Sequence, residues 1–363
     1  MARPTARRLW LLAHRWIGLS LGLLLLLAGL TGAALVVARP ADEVVHEALY
    51  RAPAGSHGAV SLDTVRQRLS AEFPAGTGYT LRPPRLPGEA LLVYVRGPWS
   101  GTLHLDPSTG AELGRRGEHE GVFNFLFELH ATLLLEDTGR AVLASAVLAY
   151  LVLLLSGLVL WWPARWRHAF SVRWVAGLTR ALFDLHRVAG ALLGLGIAVS
   201  VLTGAYMAWR PLSGWVSAAA GATASAPPAL APTAAGTGPA PSLDAVVAEA
   251  ARHFPGGQLG YVQWPARVGS PGRIRFRMPD DPHPNGLSSA WFDPRDGRLL
   301  ALHPWQQLDP GARAYAWIYP LHIGRLGGPW HLVLNATFGL ALAGLGVSGV
   351  WLWWRRRRAR RGA

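Results

Sequence analysis

The chain has 363 residues, 51% of them hydrophobic, a formal net charge of +14 and no cysteine. Such a length allows two or three domains, and the missing thiols exclude disulfides, thiolate metal sites and covalent attachment of a cofactor through Cys-x-x-Cys-His. The charge suggests nucleic acid as a partner, but its distribution excludes that. Fourteen arginines account for the whole excess and fall in three segments without a carboxylate: Arg3, Arg7, Arg8 and Arg15; Arg165, Arg167, Arg173 and Arg180; Arg355, Arg356, Arg357, Arg358, Arg360 and Arg361.

In chain order, a basic stretch (1–15) precedes an apolar helix (16–38). It resembles a secretory signal, but no clean small-x-small cleavage site follows and the segment has a later counterpart, so it is read as retained. A first soluble module (39–121) and a short interfacial segment (122–138) lead to a second apolar helix (139–162). A basic loop (163–181) connects to a third (182–210). An Ala/Pro/Gly-rich stretch (218–241), without periodicity, reads as a flexible linker. A second module (242–315), another interfacial segment (316–330), a fourth apolar helix (331–354) and a basic tail (355–363) complete the chain. Each apolar window is long enough to cross a bilayer, which needs about 20 residues. Four spans place all three arginine segments on one side, which the positive-inside rule makes cytoplasmic. Trp161, Trp162, Trp353 and Trp354 mark the same boundary, as interfacial aromatics do.

The chain repeats itself. His14-Arg15-x-x-Gly18-x-x-x-Gly22, then Leu30-Thr31-Gly32-Ala33, recurs as His186-Arg187-x-x-Gly190-x-x-x-Gly194, then Leu202-Thr203-Gly204-Ala205. Leu129-His130, then Ser156-Gly157 and Trp161-Trp162, recurs as Leu321-His322, then Ser348-Gly349 and Trp353-Trp354. In the modules, Ser61-Leu62-Asp63 resembles Ser242-Leu243-Asp244 at the start of an amphipathic helix, and a strand running into Asp106-Pro-x-x-Gly110 resembles one running into Asp293-Pro-x-x-Gly297. The expected fold is an integral membrane, mainly α protein: four transmembrane helices in two parallel repeats, with two small α+β extracytoplasmic modules. Such repeats are related by an axis along the membrane normal, which sets equivalent residues at equal depth.

That symmetry turns four histidines into two pairs, His14 with His186 at the inner side and His130 with His322 at the outer. Neutral imidazole is a common metal ligand, and two facing histidines suit the axial positions of a haem. Zinc usually takes four ligands, and no regularly spaced carboxylate or cysteine accompanies these. Without thioether links the haem would be b-type, two in number. Gly18, Gly22 and Gly32 share the helical face of His14, as Gly190, Gly194 and Gly204 share that of His186. This stripe serves close helix packing, or leaves room for a flat cofactor, or both. Arg15 and Arg187 either pair with propionates or anchor the inner surface. His331, whose repeat position is Gly139, is a third outer ligand, a proton-handling group or an interface residue. Arg273, Arg275 and Arg277 make one strand face basic, which reads as a solvated face or as an anion-binding wall.

Together these motifs resemble the PepSY-associated transmembrane helix family, over nearly the whole chain apart from the linker and the basic ends. Members include ferric-siderophore reductases and iron-regulated membrane proteins. The resemblance implies PepSY-like modules, a di-haem oxidoreductase in the bacterial inner membrane, and haem ligation by His14, His186, His130 and His322. It further implies a periplasmic ferric chelate as substrate. No nucleotide-binding fingerprint is present, so the electron donor is external, a quinol or a cytoplasmic flavin reductase. Two other functions compete. A non-redox binding or regulatory protein would use the modules alone. A transporter built on parallel repeats is disfavoured, because the helix centres carry no Asp, Glu, Lys or Arg.

Overall fold

The computed structural model describes residues 5–56, 58–230, 240–266 and 269–361. Arg3 and residues 231–239 of the linker lie outside these residues. The chain divides into two compact units. One comprises Met1–Ala38, Leu126–Arg210 and Leu321–Ala363; the other comprises Arg39–Phe125 and Pro211–Pro320.

Elements follow in the order α1 (Ala6–Val45), α2 (Glu47–Tyr50), α3 (Leu62–Glu72), β1 (Gly78–Arg82), β2 (Leu91–Arg96), β3 (Gly101–Leu105), β4 (Glu112–Gly117), α4 (Val122–Thr132) and α5 (Glu136–Trp161). Then come α6 (Leu178–Ala208), α7 (Pro211–Ala219), α8 (Leu243–His253), β5 (Gln258–Trp264), β6 (Gly272–Arg277), β7 (Ser288–Phe292), β8 (Leu299–His303), α9 (Pro310–His322) and α10 (Gly328–Ala359).

Among the described residues four helices, α1, α5, α6 and α10, are long and apolar enough to cross a membrane. At most 28% of each apolar window is buried inside the protein. Leu23, Leu148 and Leu195 are each at least 67% exposed, a surface suited to lipid rather than water. The expected first helix, 16–38, is longer at both ends, and its last turns run through Pro40. Between the helices, Leu25, Tyr150, Ile197, Ala198 and Leu342 form a core, and Tyr150 donates its hydroxyl to the Gly194 carbonyl at 2.8 Å. Here α1 and α10 cross closely: a methyl on Gly29 would lie 2.5 Å from the Gly339 carbonyl oxygen.

In the second unit the eight strands form one antiparallel sheet, in the order β4-β3-β2-β1-β5-β6-β7-β8. The two soluble segments read from the sequence are joined edge to edge, where Tyr79, Thr80 and Leu81 of β1 pair with Trp264, Gln263 and Val262 of β5. Alternation along the strands sends Leu81, Val93, Leu103, Val262, Ile274 and Phe292 to one face, where α3 and α8 cover them in a shared core. Full burial of such a side chain contributes about 1.5–3 kcal/mol. Both expected Asp-Pro turns form, with Gly110 at φ 72° and Gly297 at φ 78° accepting the left-handed conformation that closes them.

The two covering helices begin in a reciprocal exchange. Asp63 accepts from Leu243 N at 2.8 Å and from Ser242 Oγ at 2.6 Å. Asp244 accepts from Leu62 N at 3.0 Å and from the Ser61 hydroxyl. Each helix thus has N-terminal donors satisfied by a carboxylate on the other, in addition to its own Ser61 or Ser242 cap.

Candidate cofactor site

All four sequence-selected histidines belong to the helical unit, and the structure brings them together two by two. The His14 and His186 ring centroids are 6.2 Å apart, with planes at 83°. Those of His130 and His322 are 6.1 Å apart, at 33°. On α1, His14 and Thr31 are 17 residues apart, roughly 25 Å along the helix at 1.5 Å per residue. Because His130 is bonded to Thr31, the two pairs sit at well-separated levels.

Each ring rests on a hydroxyl-glycine dipeptide of another helix. His14 Nδ1 is 2.9 Å from Ser156 Oγ, and a methyl on Gly157 would lie 3.3 Å from its Cε1. His186 Nδ1 is 2.8 Å from Ser348 Oγ, with Gly349 against Cε1 at 3.5 Å. His130 and His322 sit on Thr31-Gly32 and Thr203-Gly204, each Nδ1 3.0 Å from the threonine oxygen. The added methyls would there approach Cε1 to 2.9 and 3.0 Å. The Ser-Gly and Thr-Gly motifs are therefore one device used four times.

This corrects the sequence reading of the glycine stripe. Gly32 and Gly204 share a helix with His14 and His186 but are filled by His130 and His322, so they serve the other pair. Gly194 faces Leu154, 2.7 Å from an added methyl. Of the stripe, Gly22 borders open space, while Gly18 and Gly190 meet only ordinary contacts at 3.7 and 3.8 Å. Gly22 also lines an apolar groove of about 590 Å³ between α1 and α10, with Leu19, Leu26, Gly346, Val350 and Trp354.

The hydroxyls determine the state of the rings. Ser156, Thr31 and Ser348 each donate to a carbonyl one turn earlier at 2.6 Å, and Thr203 does so at 2.8 Å. A hydroxyl has one proton, so toward the imidazole each can only accept. The ring proton then sits on Nδ1 and the lone pair on Nε2. For His322 a second contact agrees: Nδ1 is 3.1 Å from the Ser200 carbonyl oxygen, which only accepts. Neutral imidazole with Nε2 free is the metal-binding form, its other nitrogen held by a hydrogen bond.

The spacing tests the fit to a metal. Imidazole nitrogen binds a first-row ion at about 2.0–2.1 Å, which sets two rings across one ion about 6 Å apart between centroids. Both pairs meet this value. Among the described residues no group of three or more His, Asp or Glu gathers. Each pair thus offers two ligands, which suits the axial positions of a haem better than a four-coordinate zinc.

Arg187 turns toward the 163–177 loop, its Nη2 3.1 Å from the Ser171 carbonyl and 3.9 Å from Asp184 Oδ1. Arg15 is half-buried, and among the described residues no side-chain bond holds it. His331 lies in the first turn of α10, and among the described residues no hydrogen bond or ring contact joins it to either pair. Its repeat position, Gly139, has no room for a side chain: a methyl there would lie 1.5 Å from the Thr132 carbonyl oxygen.

Two residues escaped the sequence reading. Asp184 is fully buried and accepts from Arg180 Nε at 3.0 Å and Arg173 Nε at 3.3 Å, pinning the basic loop two residues before His186. Its signal was available, for it is the one carboxylate between Asp137 and Asp244. Asn335 donates to the His322 carbonyl at 2.6 Å and so fixes the end of α9.

Four apolar spans holding two facing histidine pairs define a membrane protein with a candidate cofactor centre at each of two levels. The chain belongs to the PepSY-associated TM region family, whose profile matches residues 11–356. No curated protein matches it.

Proposed function

We propose that this protein holds one b-type haem at each histidine pair and passes electrons across a bacterial inner membrane to a periplasmic ferric chelate of the siderophore type. The observation that carries the reading is the common state of the four rings. Every Nδ1–H is committed to an oxygen, every Nε2 is left with its lone pair, and both pairs stand at two-ligand spacing.

Haem, when bound, supplies a one-electron carrier. The chain's own residues supply the rest. Ser156, Ser348, Thr31 and Thr203 orient the ligands, and Gly157, Gly349, Gly32 and Gly204 let the rings lie against the helices. The core around Leu25, Tyr150 and Ile197 keeps the space between the two levels dry. In this reading the two halves are parallel repeats, the soluble unit consists of two PepSY-like modules outside the membrane, and both termini are cytoplasmic. The arginine distribution supports that orientation. The donor is external, a quinol or a cytoplasmic flavin reductase.

The test is a reduced-minus-oxidised spectrum with haem quantitation on protein purified from haem-replete cells. Two b-type haems per chain are expected. Colourless protein would sink the proposal.

A further inference from the structure

The sheet face opposite α3 and α8 carries a basic and aromatic cluster that the proposed electron path does not use. Arg82 of β1, Tyr94 of β2, Tyr261 of β5 and Arg275 of β6 project there, joined by Arg85 and His283 from neighbouring loops. The Arg85 and Arg275 guanidinium carbons each lie 5.5 Å from the Tyr261 ring centroid. Tyr94 and Tyr261 rings are 6.3 Å apart, and the buried His283 ring stacks on Tyr319 at 4.4 Å.

The charges do not balance. Among the described residues neither Arg85 nor Arg275 has a carboxylate partner. Arg275 Nε donates to the Gly286 carbonyl at 2.9 Å, and Arg85 Nη1 to the Pro284 carbonyl at 3.3 Å. Glu89 is taken by Arg82 at 3.1 Å and by the Arg85 backbone N–H at 3.0 Å. Asp281 spends its oxygens on the backbone N–H groups of His283 and Leu287, at 2.9 and 2.7 Å. The other arginines of β6 are used elsewhere: Arg273 bonds Ser289 Oγ at 2.9 Å, and Arg277 is exposed.

Three buried atoms of this cluster, Arg82 Nε, Arg85 Nη2 and His283 Nε2, have no hydrogen-bond partner. All three are donors. For His283 this follows from its other nitrogen, which accepts from Asn285 N–H at 3.1 Å. Burial, then Arg275 and Arg85, push the imidazole down to about 3, so it is neutral with its one proton on Nε2. A buried donor without an acceptor costs about 1–3 kcal/mol. Here the missing complement in all three cases is an acceptor, beside three arginines whose charge Glu89 and Asp281 offset only in part.

We propose that this cluster is an oxyanion-binding site, with Arg85, Arg275 and His283 as its principal groups. Guanidinium forks suit carboxylates and phosphates, and the surrounding tyrosines favour an organic anion over a hydrated inorganic one. The anion is then a carboxylate of the metal chelate, an assignment that rests on the electron-transfer reading; the site itself does not.

Isothermal titration of the full chain in detergent tests this, with citrate, redox-inert gallium(III) citrate and inorganic phosphate as probes. Citrate and its gallium complex should bind. Arg85→Gln and Arg275→Gln should each weaken them about tenfold or more, and Arg85→Lys should weaken them less. Arg252→Gln, at a 70% exposed arginine on α8, the helix that covers the other face of the sheet, should change nothing. Thermal unfolding of each variant verifies folding. If none of the three anions binds, or if binding ignores Arg85 and Arg275 in folded protein, the site is overturned. If phosphate alone binds, the chelate assignment is overturned. Haem content of the same preparation reports separately. Haem-free protein that binds citrate through Arg85 keeps the site and removes the electron-transfer reading; haem-loaded protein that binds no anion does the reverse.

Discussion

The two units join the halves of the chain in opposite ways. In the sheet unit the halves bond directly, through the β1–β5 ladder and through carboxylates that each half lends to the other's helix. At the histidine pairs the halves bond to themselves. His14 is held by Ser156 and His130 by Thr31, all in the first half; His186 is held by Ser348 and His322 by Thr203, all in the second. The facing rings share no hydrogen bond and stand about 6 Å apart in both pairs. A junction closed by ladder and caps serves stability. A junction at which each side braces its own ring leaves the two rings free to face a common ligand, as the proposed function requires.

The largest effect is expected from removing a histidine. His186→Ala should lose about half the haem per chain, and His186→Ala with His322→Ala nearly all of it, by quantitation against protein concentration. Unchanged haem in the double variant would show that the facing rings hold nothing. Next come the glycine seats. Gly32→Ala, with its methyl 2.9 Å from the His130 ring, should lower occupancy of the second site more than Gly349→Ala, at 3.5 Å, lowers that of the first. Equal effects would mean that the rings are not braced against the helices. Removing a hydroxyl should do less: Thr31→Ala or Ser156→Ala leaves the ligand but frees its orientation, at a cost of about 10–100-fold in cofactor affinity, read by haem transfer to a competing acceptor protein.

The smallest effect belongs to the closed junction. Asp63→Ala should destabilise the protein by about 1 kcal/mol near neutral pH, measured by unfolding in detergent. Burial pushes the Asp63 carboxyl up, but bonds from Ser242, Leu243 and Asp244, with Arg66 nearby, outweigh it and hold the group below the ordinary carboxylate range. A carboxyl depressed in the folded state stabilises above its unfolded value, about 4, and loses that contribution as pH falls through its folded value. The gap between wild type and Asp63→Ala should therefore close on acidification below about pH 4. A gap that widens there would contradict the cap exchange.

Much of this was legible in the sequence, because it is local or periodic. Apolar length announces the four helices, the repeated Ser-Leu-Asp announces the start of two amphipathic helices, and Arg273, Ile274, Arg275 and Phe276 announce an alternating strand. The duplicated histidines and their Ser-Gly and Thr-Gly partners were all visible as motifs. The pairing of His14 with His186 and of His130 with His322 was visible too, but which dipeptide seats which histidine was not. Helical periodicity says which residues share a face, and it put Gly32 on the face of His14; it does not say what fills that face, and His130 does. The merging of two modules into one sheet was hidden for the same reason, since an edge strand such as β1 or β5 looks alike whether its neighbour is solvent or another strand. The oxyanion cluster combines residues about 200 positions apart, Arg85 with Pro284 among them, and no spacing rule reaches so far.

The exchanged caps also set an order of events. Asp244 is 182 residues beyond Leu62, whose N–H it accepts. At about 5–20 residues per second, a ribosome needs roughly ten to forty seconds to make that stretch. Through that interval the first module has a complete set of its own strands and an incomplete start to its helix, with β1 an open edge. The first half is thus synthesised as a waiting template, and the arrival of residues 242–264 both finishes its helix and covers its edge.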